Sequence, residues 1–187
     1  MLEVSATTVR PGNYLFVDRG IFELVNYEHV KPGKGGAFVR LRMKNLQSGA
    51  VLEKTYDADA KVSQVEVNEH QAQYLYRQGE KFVFMNLDTY DQTEFGDAEL
   101  GSQAGYLKPD IEVKVLTCEE RFIGVRLPTT VELKVSETPP GVKGDTVSRG
   151  TKQATLETGI KVNVPLFINP GDTIKLDTRT GDYLERA

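Results

Sequence analysis

Tryptophan is absent and cysteine occurs once, at Cys118. A lone thiol cannot close an internal disulfide. Beside a strand-like run, Cys118 is expected to be a buried or half-buried thiol in a reducing compartment. Histidine is nearly as scarce. His29 and His70 stand at no metal-ligand spacing, so no metal site is expected, and His70 sits in a polar segment that reads as surface. No run approaches the roughly 20 apolar residues that span a bilayer, so no membrane segment is expected. Residues 1–10 have no basic stretch followed by an apolar one, so no secretory leader is expected and the location reads as cytoplasmic. Catalytic motifs are missing too: there is no G-x-S-x-G elbow and no H-E-x-x-H. Pro32-Gly-Lys-Gly-Gly36 superficially resembles a phosphate-binding loop. However, Gly35 stands where that loop needs Ser or Thr, and the first glycine the loop needs is missing. The carboxylates of residues 88–99 have no partner histidine and read as a solvated acidic face. The expectation is a protein that is not an enzyme and holds no cofactor.

What is present is short alternation. In Val39-Arg-Leu-Arg-Met-Lys44, apolar and basic residues alternate strictly, which predicts a strand with one buried face and one basic, solvated face. Similar runs recur at 13–18, 21–30, 51–56, 81–86, 111–117, 122–127, 130–135, 161–168 and 172–177, separated by Pro-Gly, Ser-Gly, Gln-Gly and Thr-Gly turn signals. Only residues 97–102 suit a short helix. The fold class is therefore all-β, built from small barrels. The alternation lapses near 57–63 and a proline interrupts it at 128, giving modules 1–63, 64–127 and 128–187. Tyr74, Tyr76, Phe82 and Phe84 are expected as core and rim of the middle module.

Charge divides along the same borders. Residues 1–63 carry nine Lys and Arg against seven Asp and Glu. Residues 64–126 carry six against twelve, and residues 127–187 eight against eight. RNA contact is thus expected through the ends and disfavoured through the acidic centre.

The segment 30–37 joins two alternating strands and should be a hairpin tip. Lys31 and Pro32 lead into Gly33, Lys34, Gly35 and Gly36, so Lys34 stands between residues without side chains. It can reach a narrow space or a modifying enzyme, and the same end is expected to carry Arg40 and Arg42. Read locally, a solvated turn lysine explains the segment equally well.

At these residues the chain resembles the elongation factor P family. The tip Lys31-Pro-Gly-Lys-Gly-Gly-Ala-Phe-Val-Arg40 looks like that family's lysine-type tip. The likeness continues through Lys44-Asn-Leu-Gln-Ser-Gly49, Thr138-Pro-Pro-Gly-Val-Lys-Gly-Asp-Thr146, Thr151-Lys-Gln-Ala-Thr-Leu-Glu-Thr-Gly159 and Gly171-Asp-Thr-Ile-Lys-Leu-Asp-Thr-Arg-Thr-Gly-Asp-Tyr183. It covers essentially the whole chain. The resemblance implies a KOW/SH3-like barrel followed by two OB-like barrels in an L that mimics tRNA. It implies a monomeric translation factor that binds the ribosome between the P and E sites and relieves stalling at consecutive prolines. The implied partners are ribosomal RNA, P-site peptidyl-tRNA and an enzyme that modifies Lys34. Gly144, Asp145 and Thr146 correspond to a family loop near the small subunit. Lys143, Arg149 and Lys152 are expected beside it as phosphate contacts, and Tyr183 and Arg186 as residues that stack on RNA or cap the last barrel.

Three other readings compete. A paralogue with another ribosomal task is disfavoured by the Pro-Gly-Lys-Gly tip. The hypusine-bearing initiation factor lacks a third barrel. A free OB-type oligonucleotide or oligosaccharide binder would interleave aromatic with basic residues on its strands, whereas the middle aromatics here lie in the acidic third.

Overall fold

The computed structural model describes residues 1–31, 33, 35–140 and 150–187. Sixteen strands are found among them. The first six are β1 (Leu2–Ser5), β2 (Tyr14–Val17), β3 (Gly20–Val30), β4 (Phe38–Asn45), β5 (Val51–Asp57) and β6 (Lys61–Val65). They form an antiparallel sheet ordered β1-β6-β2-β3-β4-β5. Next come β7 (Asn68–Gln78), β8 (Lys81–Asn86), β9 (Gln92–Gly96), β10 (Glu112–Cys118) and β11 (Arg121–Arg126), ordered β11-β10-β7-β8-β9. The third sheet joins β12 (Thr130–Glu137), β13 (Thr151–Leu156), β14 (Lys161–Pro165), β15 (Thr173–Asp177) and β16 (Tyr183–Arg186) in the order β14-β13-β12-β15-β16. There β14 and β16 also approach one another, which closes the sheet toward a barrel.

Alternation explains the cores. Leu15 and Val17 of β2 and Val39, Leu41 and Met43 of β4 turn inward with Phe22 and Leu24 of β3. In the third sheet Val131, Leu133 and Val135 pack with Ile174 and Leu176, all nearly inaccessible. The middle core is aromatic: Tyr74 lies 5.8 Å from Phe82 and 5.4 Å from Phe84 between ring centroids, while Tyr76 stands exposed at the rim. Cys118 is half-buried and His70 exposed, as expected. Among the described residues the one helical stretch is α1 (Asp97–Leu100), continued by a 3-10 segment, Gly101–Tyr106. Gly101, at φ +56°, supplies the left-handed residue that ends the α-helix.

Two expectations need correction. The lapse at 57–63 contains β6, which runs past residue 63 to Val65. Its buried Val62 and Val65 fall on opposite faces, so no period of two is visible. The run 161–168 is a strand only to Pro165. Ile168 is buried but belongs to a turn, its N–H donating to the Pro165 carbonyl.

By its contacts the chain falls into two compact units. One comprises 1–70, 98–102 and 115–125, and the other 71–97, 103–114 and 126–187.

One six-residue turn closes a hairpin in each sheet. Residues 45–50, 86–91 and 177–182 link β4 to β5, β8 to β9 and β15 to β16. In each, an Asx ends the strand and its Oδ1 accepts the N–H two residues on: Gln47, Asp88 or Arg179. The fifth residue is left-handed and donates its N–H to the Asx carbonyl. The sixth accepts the Asx N–H. The left-handed residue is Gly49 or Gly181 in two turns and Tyr90, at φ +63°, in the third. In the last turn the Arg179 guanidinium and backbone N–H hold the Asp177 carboxyl at a pKa of about 2.

Left-handed backbone costs a side-chain-bearing residue about 1–2 kcal/mol, and the ring of Tyr90, 70% exposed, recovers little by packing. Tyr90→Gly is therefore expected to leave Tm unchanged or raise it slightly in thermal unfolding, against the usual trend for aromatic truncation. A clear fall in Tm would show that the ring is packed.

Candidate functional site

The β3–β4 hairpin builds the candidate site. The two strands pair from Phe22↔Asn45 to Val30↔Phe38, with a shift between Leu24 and Asn26 that leaves Val25 exposed. Residues 31–37 bridge them, so the expected hairpin is present. Lys31, Gly33, Gly35 and Gly36 are exposed on it. Pro32 and Lys34 lie outside the described residues. Gly35 has φ +113°, a region glycine enters freely. At Gly33 and Gly36 a Cβ would meet nothing within 4 Å, so nothing in the described chain demands their bareness.

Arg40 and Arg42 sit on the outer face of β4, as alternation predicts, but that face is not basic. Register sets Glu28 across from Arg40, Glu53 across from Arg42 and Glu23 across from Lys44. Arg40 NH1 lies 3.1 Å from Glu28 Oε2, and its Nε 3.5 Å from Glu53 Oε1. All three side chains are about half exposed, so each pair stabilises by no more than about 1 kcal/mol. Their effect is to neutralise the face. A single strand's alternation cannot reveal this, because the carboxylates come from its neighbours. Each was visible in sequence only once the strand pairing was known.

Of the third-sheet candidates, Lys152, Tyr183 and Arg186 are among the described residues. Lys143, Gly144, Asp145, Thr146 and Arg149 lie outside the described residues. Lys152 is on β13 and is not the outward phosphate contact expected of it. It is only 9% exposed, and its Nζ donates to the Pro139 carbonyl at 2.8 Å. Tyr183 is half-buried opposite Leu176, and Arg186 is exposed opposite Ile174, both on β16. Among the described residues no group of three or more His, Cys, Asp or Glu could hold a metal ion. No described helix is long and apolar enough to cross a membrane.

Comparison with known proteins accounts for all three sheets. Residues 5–62 match the elongation factor P KOW-like domain, 67–125 the elongation factor P OB domain and 131–186 the elongation factor P C-terminal domain. The chain is 44% identical over 184 residues to an elongation factor P of Pelotomaculum thermopropionicum, covering 98% of this chain and 100% of that protein. The chain belongs to the elongation factor P family. Among solved structures, the eukaryotic translation initiation factor 5A from Methanococcus jannaschii superposes with a TM-score of 0.50 at 24% identity. The match covers 65% of this chain and 90% of that one, and it speaks for the fold alone. The three sheets are thus those of an elongation factor P, a KOW-like module followed by OB modules, and the chain is a translation factor of that family. The Pelotomaculum relative carries the name of an elongation factor.

Proposed function

We propose that this member of the elongation factor P family acts at the ribosome between the P and E sites, beside peptidyl-tRNA, and speeds peptide-bond formation at consecutive prolines. Lys34 is its positioning group, directed at the acceptor end of the tRNA. A dedicated enzyme enlarges it by covalent modification, and the factor works as a cytoplasmic monomer without a cofactor. The observation that carries this reading is the hairpin end. Lys34 stands between glycines, two of which have open space where a side chain would be, so the bareness serves something outside the chain.

The chemistry needs no new catalytic group. Proline is a poor nucleophile, and a proline-rich nascent chain constrains the donor. Holding peptidyl-tRNA in a reactive geometry lowers the entropic part of the barrier. A cation on a slender tip suits phosphate and ribose contacts. The neutralised face of β3, β4 and β5 keeps RNA attraction local to the tip.

The test is translation of a reporter containing Pro-Pro-Pro, with the natively modified factor present or omitted, alongside co-sedimentation with ribosomes. The expected result is co-sedimentation and faster synthesis across the prolines, with no change in a proline-free control. A factor that stays in the supernatant while binding free oligonucleotides would instead support the free-binder reading.

A further inference from the structure

β3 outruns the strand beside it. β2 pairs with it only from Gly20 to Glu23, and the backbone of Gly12 and Asn13 carries that side as far as Leu24. From Asn26 to Val30, among the described strands, β3 pairs with β4 alone. A ladder held on one side opens more readily than one held on both. This is the half that leads into residues 31–37.

One side chain ties that half to the body of the module. Tyr27 lies opposite Leu41 on the inward face and is half-buried against the core. The Arg10 guanidinium carbon stands 5.1 Å from the centroid of its ring. That guanidinium is itself fixed, its Nη1 donating to the Thr7 and Val9 carbonyls at 2.8 Å each, while the Arg10 N–H donates to Asn13 Oδ1. The Tyr27 hydroxyl also points to the Thr7 carbonyl, but at 3.3 Å. That is long for an O–H donor, so the ring and the guanidinium carry the contact.

The other leg of the hairpin is tied to the same loop. Ala37, just before β4, accepts the Ala58 N–H at 3.0 Å. Ser5 Oγ donates to the Ala58 carbonyl at 3.3 Å and lies 2.8 Å from Thr7 Oγ1. Residues 5–10 thus hold β3 through Tyr27 and the start of β4 through Ala37.

We propose that Tyr27 is a positioning residue, clamped by Arg10, that steadies both legs of the hairpin while the factor acts. The clamp narrows the range over which the hairpin wanders, so less ordering is left to the reacting state. Neither residue needs to touch RNA. This rests on the ribosomal reading above. Arg10 is exposed, so a direct phosphate contact is the rival role, and salt dependence separates the two.

The test compares full-length, natively modified Arg10→Gln with the unaltered factor in synthesis across Pro-Pro-Pro, at rising factor concentration and across a salt series. The expected result is a maximal rate lower by about threefold, the scale of an exposed cation–π contact. The half-saturating concentration is expected to stay within about twofold, which a loss of folded protein would not allow. An unchanged maximal rate overturns the proposal. So does weaker half-saturation with a salt slope shallower by about one, the mark of a lost phosphate contact. Tyr27→Leu is expected to match Arg10→Gln, and Tyr27→Phe, which keeps the ring, to retain most of the rate. Tyr27→Phe as slow as Tyr27→Leu overturns the clamp. In the free protein, amide exchange at residues 26–30 is expected to be several-fold faster in Arg10→Gln, with β12 unaffected. Equal exchange at residues 26–30 overturns the proposal. If Arg10→Gln does not fold, the two Tyr27 variants supply both readouts. Should the unaltered factor give no stimulation at the prolines, the ribosomal reading fails, and the exchange comparison alone decides the clamp.

Discussion

Replacing Lys34 by alanine is expected to remove most of the factor's stimulation of synthesis through Pro-Pro-Pro. A hydrogen bond from a charged group contributes about 1.5–3 kcal/mol. At 1.36 kcal/mol per decade that is roughly 10- to 150-fold in rate, limited by the stimulation the factor gives at all. The loss should appear in the rate of the stalled step and not in folding, because the neighbouring Gly33, Gly35 and Gly36 are exposed and contribute no core. Lys34→Arg keeps the charge but replaces a slender ammonium with a planar fork that a lysine-modifying enzyme does not accept. It is expected to fall between the two. Single-turnover peptide-bond formation across the prolines, with Tm recorded for each variant, checks the prediction. Equal rates for Lys34→Ala and the unaltered factor, both prepared from the native host, would sink the mechanism.

Gly105→Ala is expected to be among the most destabilising single-methyl additions in the chain. A Cβ there would lie 2.1 Å from Cγ2 of Ile160, closer than any real contact. That methyl sits on a β-branched carbon and cannot swing away as a long side chain would. Ile160 is itself held, its carbonyl accepting the Leu156 N–H at 2.9 Å in the turn between β13 and β14. Overpacking of this kind costs about 1–3 kcal/mol, a fall in Tm of about 2–4 °C per kcal/mol at this size. Removing the obstructing methyl should relieve the clash. The double variant Gly105→Ala with Ile160→Ala is expected to be more stable than the sum of the single effects allows, by at least about 1 kcal/mol. Strict additivity in urea unfolding, or a Gly105→Ala variant of native Tm, would show that the segment yields instead.

Much of the fold was legible because alternation survives in strands with one wet face. β2, β3, β4, β12 and β15 are of this kind, and residues 97–102 stood out by contrast. β13 escaped notice for a specific reason. Its inward row begins with Lys152, and a lysine at a core position reads as polar. β1, β9 and β16 are short strands that carry little pattern, and the opening of β7 is polar throughout. The hairpin under Lys34 was legible from its proline and glycines. The carboxylates facing Arg40 and Arg42 were not, since they depend on which residues of β3 and β5 the register brings opposite. The fate of Lys152 was hidden for the same reason. Nothing in one strand tells that a carbonyl thirteen positions upstream waits for its ammonium.

The six-residue turn shared by the three sheets also bears on how the chain acquires its structure. Each turn joins strands adjacent in sequence, so closing its hairpin costs only the entropy of a short loop. The first sheet in addition pairs Leu2 with Gln64 and Ser5 with Lys61, a closure spanning nearly the whole module. A chain emerging from its N-terminus can therefore form the β4–β5 hairpin at once, whereas β1 has no partner until β6 has been made. Local rewards arrive early and the sealing of the barrel comes last, an order set by connectivity before any side chain is compared.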